Sequence, residues 1–147
     1  MENKKRVGII GATGMVGQRF IMLLQDHPYF EITALAASAR SAGRTYKEAV
    51  GNRWKMQGEM PAAVADMQVL DAANIDEVKA LVDFVFCAVD MKKEEIRALE
   101  EAYAKAEIPV VSNNSANRKV DDVPMIIPEI NADPYQIRHG MLPRQTV

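Results

Sequence analysis

Three glycines near the amino terminus have the spacing of a phosphate-binding turn. Gly11, Gly14 and Gly17 recur at every third position, after the apolar run Val7–Ile10 and before an amphipathic helical pattern. Glycine suits such a turn because the chain bends sharply, because a phosphate must approach the backbone, and because the helix must lie close to the strand. Free amides at the start of the helix and the positive end of its dipole would then bind a pyrophosphate. Spaced glycines also occur in ordinary loops, but their position between a strand and a helix favours a dinucleotide site.

The segment after the next predicted strand indicates which dinucleotide binds. Residues Ile32–Ser38 have the continuous apolar character of a strand buried on both faces of a parallel sheet. An NAD-binding domain carries an Asp or Glu at the end of this strand, about 20 residues beyond the glycines. Here residues 38–44 read Ser-Ala-Arg-Ser-Ala-Gly-Arg, without a carboxylate. Because arginine binds phosphate through a planar fork of donors, the two serines and two arginines of this segment predict a site for the 2′-phosphate of NADP, with a solvated surface loop as the alternative.

Apolar runs and helical patterns alternate along the chain and predict an α/β fold. The predicted strands are Val7–Ile10, Ile32–Ser38, Val69–Leu70, Phe84–Val89 and Val110–Ser112. The predicted helices are about Met15–Gln25, Ile75–Leu81 and Lys92–Ala106, the last with Asp90 as its N-cap. This order predicts a Rossmann-like, doubly wound, mostly parallel sheet with helices on both faces, formed by residues 1–147 as one domain.

The helix after the glycines is predicted to bury one apolar stripe. The residues of that stripe are Val16, Phe20, Leu23 and Leu24. Gln18, Arg19 and Gln25 are expected on the solvent side, and Pro28 ends the helix.

Length and charge limit the classes of function. The chain has 147 residues and a formal net charge of -2, from 18 basic and 20 acidic residues. This balance gives no bulk attraction to nucleic acid or to an anionic membrane, so any anion site must be local. No apolar run approaches the ~20 residues that span a bilayer, and the amino terminus lacks the apolar region of a signal peptide. We expect a soluble cytoplasmic protein that binds small molecules and neither nucleic acid nor membrane.

The sequence offers no convincing catalytic nucleophile, base or metal ligand set. Its single cysteine, Cys87, stands between Phe86 and Ala88 in the most apolar run of the chain, which predicts a buried thiol and not a reactive one. His27 precedes a proline and His139 lies in a polar tail, so neither is a good general base. Cysteine and histidine also lack metal-ligand spacing. We therefore predict neither catalytic residues nor metal ligands in this chain.

Four segments resemble a known family, the aspartate-semialdehyde dehydrogenases, and the archaeal and fungal type more than the common bacterial one. The segments are Gly11–Phe20, Ala37–Arg44, Val111–Arg118 and Val123–Asn131. Together they extend over nearly the whole chain and correspond to the amino-terminal part of such enzymes. The last two segments are far more specific than a glycine motif.

The resemblance implies an activity and assigns further residues. Such enzymes form aspartate semialdehyde from β-aspartyl phosphate by NADPH-dependent reductive dephosphorylation, a step toward lysine, threonine and methionine. The residues that the resemblance places at the pyrophosphate are Thr13, Gly14, Met15 and Val16. It also places Ser38, Arg40 and Ser41 at the 2′-phosphate. Arg118, with Asn114 beside it, becomes a binder of substrate or inorganic phosphate, although without the family Arg118 would be an ordinary surface arginine.

One departure from the family pattern limits what we expect of this chain. In the family, the nucleophilic cysteine lies in an Asn-Cys segment downstream of the Pro-Glu-Ile-Asn stretch, and a histidine base follows in a second domain that also forms the dimer. The 147 residues contain neither group. We expect an NADP-binding fragment that is inactive alone and forms a homo-oligomer only with the second domain. The alternatives are a related acyl reductase, of the malonyl-CoA or N-acetyl-glutamyl-phosphate type, and a stand-alone NADP-sensing regulatory module.

Overall fold

The computed structural model describes residues 3–121 and 123–131, and it contains a five-stranded parallel sheet. The strands are β1 Lys5–Ile10, β2 Phe30–Ala37, β3 Val69–Asp71, β4 Phe84–Cys87 and β5 Val110–Ser112. Their spatial order is β3-β2-β1-β4-β5, and all four pairings are parallel. The chain therefore winds outward from β1 in one direction and then from β4 in the other. The carboxyl ends of β1 and β4 form the switch point at which such sheets bind ligands.

Helices cover both faces of the sheet, which confirms the predicted doubly wound α/β fold. The helices are α1 Met15–Leu24, α2 Tyr46–Val50, α3 Ala62–Ala65, α4 Ile75–Lys79, α5 Lys93–Lys105 and α6 Pro128–Asn131. Successive residues of β1 point to opposite faces, so that Ile9 and Ile10 belong to two separate buried clusters. The cluster around Ile9 includes side chains of α1, α2 and α3, whereas the cluster around Ile10 includes side chains of α4 and α5.

The predicted inward face of α1 is partly wrong. Val16 is 41% exposed and Leu23 is 61% exposed, whereas Gln18 is only 1% exposed. The cause is the close approach of Gly17 to the preceding turn, where a Cβ would lie 2.2 Å from the Gly11 carbonyl oxygen. This approach turns the face around Gly17 toward the sheet and buries the neighbouring Gln18.

The predicted end of β4 and the predicted cap of α5 also differ from the structure. β4 ends at Cys87, two residues before Val89, because its neighbours leave the sheet there: Cys87 is paired with the last residue of β1 and with the last residue of β5. Asp90 does not cap α5. The helix begins at Lys93, and the Glu95 carboxylate accepts a hydrogen bond from the Lys92 amide at 3.2 Å. Residues 88–92 therefore form a loop at the carboxyl edge of the sheet.

The amino end of the sheet carries an exposed ion pair. The Arg6 amide donates to Asp83 Oδ2 at 2.8 Å, and the Arg6 guanidinium donates to Asp83 Oδ1 at 3.2 Å. The hydrogen bonds from Arg6, the backbone one first, hold the pKa of the Asp83 carboxyl below its ordinary value.

Candidate functional site

The three glycines of the turn have different structural roles. Gly11 has φ +86°, and a Cβ there would lie 2.4 Å from the Ala88 carbonyl oxygen. Gly17 has the contact with Gly11 described above, so both positions need glycine for the chain to fold. Gly14 has an ordinary φ of −78°, and its Cβ would meet only the Gly11 oxygen at 3.7 Å. Folding therefore does not require glycine at position 14. The missing side chain instead leaves space in which a ligand could approach the backbone.

The first amides of α1 are open. Gly14 is the N-cap and has no side chain to accept a hydrogen bond, and the first helical bond runs from the Gln18 amide to the Gly14 carbonyl at 2.9 Å. Within the described residues, the amides of Met15, Val16 and Gly17 have no acceptor. Three N–H groups at the positive end of a helix dipole form a site for an anion.

A cleft of about 500 Å³ opens at the switch point beside this turn. Its lining includes Gly11, Thr13 and Gly14 from the glycine turn and Ser38 from the end of β2. The loop that follows β4 contributes Asp90. The structure thus brings the predicted glycine turn and the predicted Ser38 into one cleft.

The turn after β2 holds the predicted 2′-phosphate residues and is hydrogen-bonded to β3. The Ser41 amide donates to the Ser38 carbonyl at 2.9 Å. Further along, the Gly43 amide donates to the Val69 carbonyl and the Val69 amide donates to the Arg44 carbonyl, both at 2.8 Å. Two of the predicted residues, at positions 40 and 41, lie outside the lining of the cleft. The exposed arginine among them has no side-chain hydrogen bond or ion pair within the described residues.

A carboxylate that the sequence did not reveal lies next to this turn. Asp71, the last residue of β3, is paired in register with Ala37 of β2 and lines the same cleft. Its Oδ1 atom accepts a hydrogen bond from the Ala73 amide at 3.0 Å. The end of β2 itself has no carboxylate, as predicted, but the neighbouring strand supplies one.

Gln18 connects the glycine turn to residues 53–55, which belong to a stretch of the sequence without helical or strand periodicity. Its Nε2 group donates to the Thr13 carbonyl at 3.0 Å and to the Arg53 carbonyl at 3.1 Å, and its Oε1 atom accepts from the Lys55 amide at 2.8 Å. Arg53 is also one of the residues that line the cleft. The only sequence signal for this connection was a glutamine directly after the tightly packed Gly17.

Buried tyrosines from opposite faces of the sheet fix two loops at this edge. The Tyr46 hydroxyl of α2 donates to the Ala12 carbonyl, and the Tyr103 hydroxyl of α5 donates to the Ala72 carbonyl, both at 2.7 Å. Burial raises the pKa of both hydroxyls above the ordinary range, so they remain donors.

A buried carboxylate organises the second predicted region, the loop from Ser112 to Arg118. Glu100 of α5 is 1% exposed. The Ser112 hydroxyl and the Asn114 Nδ2 group, the latter at 3.3 Å, donate to Glu100 Oε1, and the Asn117 Nδ2 group donates to Oε2 at 2.7 Å. A carboxylate that only accepts is matched here by three donors. Sequence reasoning did not identify Glu100.

Cys87 lies beside this carboxylate and is a buried strand cysteine, as predicted. The Asn114 Nδ2 atom is 3.5 Å from the Cys87 Sγ atom. Burial, and next the negative charge of Glu100, raise the pKa of the Cys87 thiol to about 12. The thiolate is therefore nearly absent at neutral pH, which supports the prediction that Cys87 is not a nucleophile. His139, also predicted to have no catalytic role, lies outside the described residues.

Asn114 and Arg118 share a second cleft of about 550 Å³, which has no lining residue in common with the first. Arg118 is exposed, and its Nη2 group donates to the Asn113 carbonyl at 3.1 Å. The Asn117 Oδ1 atom is buried and has no hydrogen-bond partner within the described chain. The structure thus brings the two predicted substrate residues together, in a pocket separate from the glycine turn.

Residues 3–121 and 123–131 contain neither a cluster of metal ligands nor a helix that could span a membrane. These residues contain no group of three or more His, Cys, Asp or Glu side chains arranged to hold a metal ion. None of their helices has both the length and the apolar character needed to cross a bilayer.

The sheet order, the glycine turn and the cleft at the switch point define a dinucleotide-binding domain of the Rossmann type. Residues 6–138 match the family model described as semialdehyde dehydrogenase, NAD binding domain. The chain belongs to this family.

Relatives and solved structures confirm the predicted resemblance. The aspartate-semialdehyde dehydrogenase of Methanothermobacter thermautotrophicus is 47% identical over 129 residues, a match that covers 86% of this chain and 35% of that protein. The Saccharomyces cerevisiae enzyme of the same name is 40% identical over 137 residues, which cover 93% of this chain and 36% of the relative. The crystal structure of the Candida albicans enzyme with NADP is 39% identical, has a TM-score of 0.82, and covers 92% of this chain and 36% of that one. This chain therefore spans about a third of the length of the curated relatives it matches.

Proposed function

We propose that this chain is the NADP-binding part of an aspartate-semialdehyde dehydrogenase, which forms aspartate semialdehyde from β-aspartyl phosphate by NADPH-dependent reductive dephosphorylation. The observation that carries the proposal is the open anion site at the switch point. There, Gly14 leaves space beside the backbone and the first three amides of α1 have no acceptor among the described residues. The pyrophosphate would bind at residues 13–16. The relatives named aspartate-semialdehyde dehydrogenase support the assignment of the activity.

NADP is the preferred cofactor in this proposal because of the turn after β2. Ser38 supplies a hydroxyl at the cleft, and Arg40 and Ser41 follow it in a turn that carries no carboxylate. The Arg40 guanidinium is exposed and free of partners within the described residues, so it can bind a 2′-phosphate without breaking an existing bond. The Candida albicans structure with NADP supports the same choice.

The second cleft is our proposed site for the phosphate group of the acyl phosphate. Arg118 uses one nitrogen to hold the Asn113 carbonyl, which leaves the rest of its guanidinium for an anion. The side-chain NH₂ of Asn114 already donates to Glu100 and Cys87, so the Asn114 Oδ1 atom is the part that we propose for substrate contact.

The proposed reaction needs a nucleophile and a general base, and we place both outside the 147 residues. NADPH supplies the hydride when it is bound, but Cys87 is too buried and too weakly acidic to attack an acyl phosphate. We propose that the nucleophilic cysteine, the histidine base and the dimer contacts belong to a second domain, as the resemblance implies. The enzyme would work in the cytoplasm on a small-molecule substrate. Phosphate-dependent oxidation of aspartate semialdehyde by this chain alone would contradict the placement of the nucleophile.

Titration calorimetry with NADP and NAD tests the cofactor assignment. We expect tighter binding of NADP, a loss of roughly tenfold in NADP affinity for Arg40→Ala, and little change in NAD affinity, because only NADP carries the 2′-phosphate. Arg19→Ala removes the same charge from an exposed position on α1 and should bind both nucleotides normally. Tighter binding of NAD, or an unchanged NADP affinity in Arg40→Ala, would overturn the 2′-phosphate assignment. Failure of the unaltered chain to bind either nucleotide would overturn the proposed function.

A further inference from the structure

We infer that Arg53 is an additional cofactor-binding residue that donates hydrogen bonds to the pyrophosphate of the dinucleotide. The inference rests on the proposed function and adds a residue from an unexpected part of the chain. Arg53 ends a short 3-10 turn, Gly51–Arg53, that follows α2. Arg53 lines the same cleft as Thr13 and Gly14 of the glycine turn.

The charges around the cleft favour a role for Arg53 in binding an anion. Among the described residues that line it, Arg53 carries the only positive charge, whereas Asp71 and Asp90 each carry a negative one. A pyrophosphate that enters this cleft brings further negative charge. The open amides of α1 offset part of that charge, and a guanidinium on the cleft wall offsets more.

The guanidinium of Arg53 is held in place before any ligand binds. Its Nη2 group donates to the Ala49 carbonyl at 2.6 Å, and its Nε group donates to the Val50 carbonyl at 3.3 Å. Its Nη1 group has no hydrogen-bond partner within the described chain. Two bonds therefore fix the plane of the guanidinium while one nitrogen stays available, so that little side-chain entropy is lost when an anion binds.

The backbone of Arg53 is also fixed relative to the glycine turn. The Nε2 group of the buried Gln18 side chain donates to both the Thr13 and the Arg53 carbonyls, so one side chain joins the two segments. Thr13 begins the stretch that we assign to the pyrophosphate. This connection to Thr13 through Gln18 is the reason that we assign Arg53 to the pyrophosphate and not to the 2′-phosphate.

Comparison of NADP and NAD binding by calorimetry tests the inference. Because both nucleotides contain the pyrophosphate, Arg53→Gln should weaken both by roughly tenfold or more. Arg53→Lys keeps the charge but loses the fork and should recover part of the affinity. Arg19→Gln is the matched control and should leave both affinities unchanged. The affinity of Arg53→Gln should also depend less steeply on salt than that of the unaltered chain.

The possible outcomes separate this inference from the proposed function. Unchanged binding of both nucleotides by Arg53→Gln, with NADP binding still weakened in Arg40→Ala, would overturn the inference alone. A loss confined to NADP would overturn the assignment to the pyrophosphate. No binding by the unaltered chain would overturn the proposed function instead.

A second measurement covers the case in which Arg53→Gln does not fold, since that variant loses two anchoring bonds. The Arg53 guanidinium resonance in ¹⁵N-labelled protein can be assigned from its disappearance in Arg53→Lys. We expect this resonance to shift when NADP or inorganic pyrophosphate is added. An unshifted resonance at saturating NADP would overturn the inference.

Discussion

The glycine turn and the loop from Ser112 to Arg118 both lie at the carboxyl ends of parallel strands, but they are built in opposite ways. The turn works through missing side chains: Gly11 and Gly17 allow the backbone to come close, and Gly14 leaves room for a ligand. The loop depends on one side chain from another element, the buried Glu100 carboxylate, which accepts three hydrogen bonds from the loop. A methyl group added to one of the glycines should therefore impair folding or ligand binding in the turn, and removal of the Glu100 carboxylate should destabilise the loop.

The largest effect is expected at Gly17. Gly17→Ala would place a Cβ 2.2 Å from the Gly11 oxygen and 2.8 Å from the Ala12 Cα atom, and both are backbone atoms that can move only if α1 moves. We expect a loss of about 3 kcal/mol or more in the free energy of unfolding, measured by urea denaturation.

Gly14→Ala is the matched control for the same turn. Its Cβ would have no contact closer than 3.7 Å, so we expect the variant to fold with a loss below about 1 kcal/mol. Its affinity for NADP should fall at least about tenfold, because the methyl group stands where the phosphate approaches. A Gly14→Ala variant that binds NADP normally, or a stable Gly17→Ala variant, would remove the distinction between the folding glycines and the binding glycine.

The next effect is expected at Glu100. Glu100→Ala would leave the donors of Ser112, Asn114 and Asn117 without their shared acceptor, at a cost of roughly 3 kcal/mol in the free energy of unfolding. Glu100→Gln should cost less. Its oxygen can still accept from Ser112 and Asn114, and its new NH₂ group can donate to the Asn117 oxygen if that side-chain amide turns over. The Asn117 NH₂ group would then occupy the buried position that has no partner, so part of the cost remains.

Glu94→Ala, on the exposed side of the same helix, controls for the loss of a glutamate. We expect a change of a few tenths of a kcal/mol there, because Glu94 has no hydrogen bond or ion pair among the described residues and interacts with the helix dipole. Equal denaturation midpoints for Glu100→Ala and Glu94→Ala would show that the loop does not depend on the buried carboxylate.

The smallest effect is expected at Asp83, an exposed carboxylate at the opposite end of the sheet. Its pKa is lower in the folded chain than its ordinary value of 3.8, so its stabilising contribution is complete above pH 3.8 and is lost as the pH falls through the folded value. Asp83→Asn should lower the stability by less than about 1 kcal/mol at pH 7, because the pair with Arg6 is exposed.

Thermal melts of Asp83→Asn and the unaltered chain, recorded from pH 7 to pH 2, measure this contribution. The difference between the two melting temperatures should shrink toward zero at the acid end. A difference that stays constant across this range would show that the charge of Asp83 contributes nothing.

The sequence predicted most of the sheet and the glycine turn because their signals are local. A buried parallel strand is an unbroken apolar run, and the spacing of Gly11, Gly14 and Gly17 is visible within a few residues. The end of β4 was predicted two residues too late, because β4 ends where β1 and β5 leave it, and that depends on distant parts of the chain.

The site residues that the sequence did not reveal act through long-range contacts. Glu100 was one of several glutamates on α5, and only the fold brings it to Ser112 and Asn117. Arg53 belonged to a stretch without periodicity, and its connection to the glycine turn passes through Gln18, a polar residue expected to face solvent. A polar side chain that interrupts an apolar pattern next to a motif is therefore a useful sign of a hidden contact.

The two hydrogen bonds between the turn after β2 and Val69 have a consequence for association between molecules. β3 is an edge strand of only three residues, and such an edge exposes backbone groups that can recruit a strand from another molecule. The Gly43 amide and the Arg44 carbonyl form hydrogen bonds with the outward-facing backbone groups of Val69 and so cover that part of the edge. We therefore expect the segment that we propose to distinguish NADP from NAD to hinder strand addition at this edge as well.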